Sequence, residues 1–115
     1  MLLENKIAVI YGAGGLISGF KVALDAIESL CRQWAVELGP HGIRVVTLKT
    51  GGVPETIPDS FAEKGEIAAS IEQDTLLGRA ATLADVGNVA AFVASDLART
   101  ITATEINISS GAIIE

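Results

Sequence analysis

Glycines cluster just after the first apolar segment of the chain, and at that place they are suited to holding phosphate groups. The segment Ile7–Ile10 is short and apolar, as in a central strand. Glycine lets the following turn approach a phosphate closely, while the next helix offers N–H groups and the positive end of its dipole. The fingerprint Gly-x-Gly-x-x-Gly fits in its first half and fails at Ile17. The predicted binding residues are Gly12, Ala13, Gly14 and Gly15. The alternative is a strand-to-helix turn without a ligand.

A long amphipathic helix must position this turn. Its apolar residues recur at intervals of three and four and form one stripe. Gly39 can adopt the left-handed conformation that ends a helix and Pro40 cannot continue one, so the helix is predicted to stop there. The next apolar segment, Ile43–Leu48, is typical of a strand buried on both faces. The stripe consists of Phe20, Ala23, Leu24, Ile27, Leu30, Cys31, Trp34, Ala35 and Leu38.

The segment that connects the long helix to the next strand, Ala35–Val45 (AVELGPHGIRV), resembles the corresponding segment of the short-chain dehydrogenase/reductase family. Asn5–Gly15 is similar to the family's first strand and glycine-rich turn, and Asp85–Asp96 to its last helix. Ile101–Ile108 is similar to its last strand. After Gly15 the chain passes at once into the helix of the family's second half. The resemblance therefore implies one internally deleted domain over residues 1–115.

The order of the remaining elements predicts a reduced Rossmann-like α/β fragment with three layers. A strand, helix and strand form a right-handed parallel unit, in which the first strand can take the place of a missing neighbour. We expect about three parallel strands in chain order, with the long helix on one face and a C-terminal helix on the other. That last helix is predicted to be capped by Thr82, and the last strand to span about Glu105–Ile108. Short helices are predicted over Pro58–Phe61, with Asp59 as cap, and over Glu66–Gln73.

The resemblance also implies a catalytic pair, Tyr-x-x-x-Lys, at the start of the long helix. The matching positions here hold Phe20 and Leu24, and neither side chain can move a proton. The family's own glycine spacing, Gly-x-x-x-Gly-x-Gly, meets Leu16 and Ser18 after Gly12. The family's catalytic Ser and Asn belong to the absent segment. We therefore predict no catalytic residue, and weak or no binding of the family's cofactor, NAD or NADP.

Two functions from different classes remain open. The first is NAD(P)-dependent hydride transfer between an alcohol and a carbonyl, weakened or lost. The second is a non-catalytic interaction or oligomerisation module, or a relic. The family resemblance supports the first, whereas Phe20 and Leu24 favour the second.

Composition limits the partners. Half of the residues are hydrophobic and mean hydropathy is +0.48, so we expect the long helix to contact a second copy or a full-length relative. A net charge of −6 argues against nucleic acid and anionic membranes. We expect a cytoplasmic protein with no membrane segment. Cys31 excludes an internal disulfide and is predicted to be buried, and His41 has no neighbouring ligands in sequence, so no metal site is predicted.

Overall fold

The structure, a computed structural model, describes residues 7–12 and 18–115, with side chains from residue 22 onward. The strands are β1 (Ile7–Gly12), β2 (Arg44–Lys49) and β3 (Thr104–Asn107), and the helices are α1 (Ser18–Leu38), α2 (Lys64–Gln73) and α3 (Leu83–Ala94). Short 3₁₀ segments lie at Gly39–His41, Pro54–Thr56 and Asp96–Ala98.

The strands form one parallel sheet in the order β1-β2-β3. Ile7 pairs with Arg44, and Val46 pairs with Thr104. Parallel neighbours need a crossover, and α1 and α3 supply the two helical crossovers. The predicted strand order and parallel direction are confirmed.

Alternation along β2 sends its side chains to opposite faces of the sheet. Val45 packs with Cys31 and Ala35 of α1. Val46 packs on the other face with Val93 of α3. The predicted helix on each face and the burial of Cys31 are thereby confirmed, and β2 is buried on both faces as its composition indicated.

The end of α1 differs in detail from the prediction. The left-handed conformation is adopted by Gly42, with φ of +75°, and not by Gly39, which begins a 3₁₀ turn containing Pro40. The Ile43 N–H reaches back to the Leu38 carbonyl at 3.3 Å. Proline fits the first positions of a helical turn, so a 3₁₀ turn follows α1 and the helical path ends at Gly42 instead of Gly39.

The segment between β2 and α3 was only partly predicted. The prediction of a short helix over Pro58–Phe61 was wrong, because these residues form only a turn. The 3₁₀ segment lies earlier, at Pro54–Thr56, and α2 begins at Lys64, two residues before the predicted start. The Asp59 carboxylate accepts a hydrogen bond from Lys64 Nζ at 2.6 Å instead of capping a helix. This ion pair also holds the pKa of Asp59 below its ordinary value.

Two non-glycine residues within the described part have positive φ, Ala103 at 57° and Ser110 at 56°. Each lies beside β3, where the chain must turn into and out of the short strand. The Ala103 N–H donates to the Val45 carbonyl at 2.9 Å, so the strained backbone is held by the ladder. A side chain is unfavourable in this conformation because its Cβ crowds the backbone.

Ala103→Gly is expected to raise the free energy of unfolding by roughly 1 kcal/mol, because glycine removes the Cβ strain at positive φ. Ala103 is exposed, so no packing is lost. Ala91→Gly is the matched control, since Ala91 is exposed within α3 and glycine there costs about 1 kcal/mol. Urea unfolding of the three proteins gives the comparison. A loss of stability in both variants would show that Ala103 is unstrained.

Candidate functional site

The carboxyl ends of the strands meet at one edge of the sheet. Gly12 at the end of β1 is the partner of Lys49 in β2, and Lys49 is also the partner of Asn107 in β3. In open parallel sheets, ligands bind outside this edge. It is therefore the candidate functional site.

Of the four residues in the predicted cofactor-binding turn, the structure describes only the first, Gly12. Gly12 ends β1 beside the end of β2. Ala13, Gly14 and Gly15 lie outside the described residues, and α1 begins at Ser18. Their role in binding stays a prediction.

The two positions that match the family's catalytic pair lie on the first turns of α1. The Leu24 side chain belongs to the hydrophobic core, with the residue 9% exposed. The side chain of Phe20 lies outside the described part. The structure therefore places an apolar core residue where the family pattern has a lysine.

Other side chains of the protein occupy the space beside the loop after β2. Gly51 has φ of +65°, and a Cβ added there would lie 3.1 Å from Cβ of Ser109. A Cβ on Gly52 would lie 2.9 Å from Cδ1 of Ile71 in α2. These glycines permit close packing against α2 and the C-terminal segment. They do not form an open cradle for a ligand.

The most concentrated charge near this edge surrounds Lys49, on the α1 face. Its Nζ lies 2.6 Å from Glu115, 2.7 Å from Glu105 and 3.0 Å from Glu28. The side chain of Lys49 is only 12% exposed. We call Lys49, Glu28, Glu105 and Glu115 the Lys49 cluster. It joins α1, β2, β3 and the C-terminus.

The glutamates of the Lys49 cluster keep Lys49 protonated and positively charged. Burial alone would lower the pKa of Lys49, but hydrogen bonds with Glu105, Glu115 and Glu28 outweigh burial and hold that pKa well above its ordinary value. A lysine in this state is a permanent cation with its donors engaged. It can act neither as a general base nor as a nucleophile at neutral pH.

Beside the Lys49 cluster lies a cavity of about 260 Å³, lined by Cys31, Arg32, Thr104 and the three glutamates. Arg32 approaches Glu105 at 3.6 Å. Across the described residues, no group of three His, Cys, Asp or Glu side chains could hold a metal ion. The three glutamates of the cavity are thus paired with Lys49 or Arg32.

A second cavity, of about 450 Å³, lies between the end of β3 and the start of α3. Its polar lining residues are Arg79, Asp85, Asn88, Asn107 and Ser110. The Asp85 carboxylate is engaged within the protein, because it accepts a hydrogen bond from the Thr82 N–H. In return, the Thr82 hydroxyl oxygen accepts a hydrogen bond from the Asp85 N–H. This capping box confirms the predicted Thr82 cap and keeps the pKa of Asp85 below its ordinary value.

Arg44 fixes the opposite end of the sheet. Its guanidinium donates to the carbonyls of Val93 at 2.8 Å and Ser95 at 3.2 Å, at the end of α3, and to Ile101 at 3.1 Å before β3. A cation there also suits the negative end of the helix dipole. Arg44 thus ties the end of α3 and the segment before β3 to β2.

Sequence reasoning missed the Lys49 cluster and the role of Arg44. The available signal was a lysine at the end of a strand that was predicted to be buried on both faces. Its partners come from α1, β3 and the C-terminus, so only the folded arrangement identifies them. Within the same described part, no helix has the length and apolarity needed to cross a membrane.

A parallel sheet with helices on both faces and a glycine at the end of β1 belongs to the Rossmann class of α/β folds. An oxidoreductase of the short-chain dehydrogenase/reductase family from Burkholderia thailandensis has the same fold, with TM-score 0.78 and 26% identity over 93% of this chain and 44% of that chain. The chain belongs to the enoyl-(acyl carrier protein) reductase family of short-chain dehydrogenases/reductases, whose sequence profile matches residues 14–112. The predicted family resemblance is thereby confirmed.

Two bacterial relatives show the same relationship. The enoyl-(acyl-carrier-protein) reductase (NADH) FabI of Bacillus cereus is 34% identical over 90 residues, which are 78% of this chain and 35% of that protein. The FabI enzyme of Haemophilus influenzae, which has the same description, is 32% identical over 103 residues, 87% of this chain and 39% of that protein. The chain thus spans well under half the length of these relatives.

Proposed function

We propose that this chain keeps the strand and helix framework of a short-chain reductase but does not catalyse hydride transfer at a useful rate. The family's reaction moves hydride between NAD or NADP and a carbonyl, alcohol or enoyl group. The burial of Leu24 in the α1 core carries the proposal, because the family pattern needs a lysine at that position.

No described residue offers a substitute for the missing acid. Lys49 is the cation nearest to Gly12 in the sheet register, and its donors are engaged by three carboxylates. Phe20 has a ring without a hydroxyl. Loss of a positioned general acid lowers a rate by roughly 10²–10⁴-fold. Without the cation that accompanies it, the loss is larger still.

The cofactor is expected to bind weakly or not at all. Weak binding is supported by the loop after β2, where the close approaches at Gly51 and Gly52 are occupied by Ser109 and Ile71. Gly12–Gly15 would hold the pyrophosphate of NAD or NADP if it bound, and two side chains, Leu16 and Ser18, interrupt that turn. The relatives' names specify NADH, so NADH is the first cofactor to test.

The remaining role is that of an interaction module in the cytoplasm, or of a relic without a selected role. Exposed apolar side chains on α1 favour a module, since they form a surface that a partner can cover. The buried free thiol of Cys31 agrees with a reducing compartment.

The test is a thermal unfolding scan with and without millimolar NADH, NADPH, NAD and NADP, followed by an NADH oxidation assay with an enoyl thioester. Full-length FabI of Haemophilus influenzae is the positive control. A ligand at about 100 times its dissociation constant stabilises a fold by roughly 2.7 kcal/mol, which moves the midpoint by several degrees. We expect an unchanged midpoint and no oxidation above background. A raised midpoint together with NADH oxidation would overturn the proposal. A raised midpoint without oxidation would show that the cofactor binds but that hydride transfer is lost.

A further inference from the structure

Glu115 is the most exposed of the three carboxylates that contact Lys49. Its side chain is 46% exposed, whereas the side chains of Glu28 and Glu105 are 18% and 17% exposed. Glu28 belongs to α1 and Glu105 to β3, but Glu115 lies outside the helices and strands of the described part of the chain. Glu115 is therefore the partner of Lys49 that can leave most easily.

Only two residues must move for Glu115 to leave. The Asn107 side-chain amide donates to the Ile113 carbonyl at 2.7 Å, and the Ile113 N–H donates to Ser109 Oγ at 3.0 Å. These contacts hold the chain after β3 as far as Ile113. Ile114 is highly exposed, so little packing opposes a movement of Ile114 and Glu115. The Glu115 side chain can thus swing away from Lys49 while the sheet stays in place.

The charges that remain after Glu115 swings away are balanced. Lys49 and Arg32 are positive, and Glu28 and Glu105 are negative. An ammonium group has three N–H donors, so two carboxylate partners leave one donor of Lys49 free.

The site then matches a ligand with one negative charge and an oxygen that accepts a hydrogen bond. A carboxylate supplies both and restores the charge that Glu115 contributes. A doubly charged phosphate would place one more negative charge close to Glu28 and Glu105, and like charges at short distance repel each other. The balance of charges therefore favours a monocarboxylate.

The space beside Lys49 admits a small molecule. Glu115 lines the cavity of about 260 Å³ together with Cys31, Ala103 and Thr104. This volume is several times the share of one water molecule in the liquid, about 30 Å³. Cys31 and Ala103 give part of the cavity wall an apolar character, and Thr104 adds polar groups. A short carboxylate with a small apolar body suits this lining.

We propose that Lys49 is an exchangeable binding site for a small monocarboxylate, which replaces the Glu115 side chain on Lys49 Nζ and occupies the adjoining cavity. Glu115 acts as an internal competitor, because its attachment to the chain gives it a high effective concentration beside the site. A ligand reaches Lys49 only when Glu115 swings out. The site needs neither NADH nor hydride transfer, so it is independent of the function proposed above.

The test measures binding of propionate to the unmodified chain and to Glu115→Ala, from the NMR shifts of the backbone amides. We expect saturable shifts at the cavity residues Cys31, Thr104 and Glu105 in both proteins. Glu115→Ala should bind propionate several-fold more tightly, because the competing carboxylate is gone. Sodium chloride at equal ionic strength should produce no such shifts. Propionamide, which has a similar shape without the charge, should also produce none.

Glu72→Ala is the matched control, because Glu72 is an exposed glutamate of α2 and its loss changes the net charge by the same amount. Its affinity for propionate should equal that of the unmodified chain, and thermal scans establish that both variants are folded. Equal affinities of the unmodified chain and Glu115→Ala would overturn the inference. A gain in Glu72→Ala as large as in Glu115→Ala would also overturn it, as would the absence of saturable shifts at the cavity residues.

Discussion

Lys49→Met is expected to lower the free energy of unfolding by about 3 kcal/mol at neutral pH, because removing one partner leaves buried charges unpaired. Three carboxylates would then share one site without their cation, and Glu28 and Glu105 are largely buried. Urea unfolding at neutral pH and low salt measures the loss.

The stabilising contribution of Lys49 depends on pH, and the direction of that dependence can be predicted. In the unmodified chain the pKa of Lys49 is raised on folding, so its contribution is complete below the ordinary lysine pKa of about 10.4 and is lost as the pH rises further. The stability difference between the unmodified chain and Lys49→Met should therefore shrink as the pH rises above about 10.4.

Lys64→Met is the matched control. Lys64 also pairs with one carboxylate at 2.6 Å, but that carboxylate, Asp59, is almost fully exposed. Exposed pairs contribute little, so the control should change stability by less than about 1 kcal/mol. Equal effects of the two substitutions, or a Lys49→Met deficit that is constant with pH, would contradict the account of the Lys49 cluster.

Arg44→Met is expected to cost about 3 kcal/mol, since hydrogen bonds from a charged donor to partly buried carbonyls are among the stronger ones. The substitution frees the carbonyls of Val93, Ser95 and Ile101. Val93 is fully buried, so water cannot readily replace the lost donor. Arg44→Lys should recover only part of the loss, because one ammonium cannot reach all three carbonyls as the guanidinium fork does.

The control for Arg44 is Arg99→Met, at an exposed arginine just after the 3₁₀ segment Asp96–Ala98. It changes the net charge by the same amount at the same end of the molecule. Thermal and urea unfolding should show little change for Arg99→Met. A similar loss in both variants would mean that net charge, and not the three carbonyl contacts, explains the effect.

The helices and the strand order could be predicted because they follow from local patterns. The apolar stripe of α1, the Gly-Pro stop and the Thr82 cap each depend on residues close in sequence. The two faces of the sheet followed from the apolar composition of β2 together with one helix before it and one after it.

The parts that could not be predicted depend on residues far apart in sequence. Lys49 meets Glu115 across 66 positions, and Arg44 meets Ile101 across 57. Thr47 is a similar case, because its hydroxyl is buried without a partner on the α1 face, although the sequence suggests only an ordinary strand residue. Gly42 took the left-handed position because Pro40 allowed one more turn than the pattern indicated.

The sheet register also constrains the order in which this chain can fold. α1 forms through local hydrogen bonds, but the ladder between β1 and β2 must wait until β2 has been synthesised, and the ladder between β2 and β3 must wait for β3. Contacts that close long loops form slowly. Until β2 has been synthesised, β1 is an uncharged strand without its β2 partner, and such strands are prone to pair with other chains.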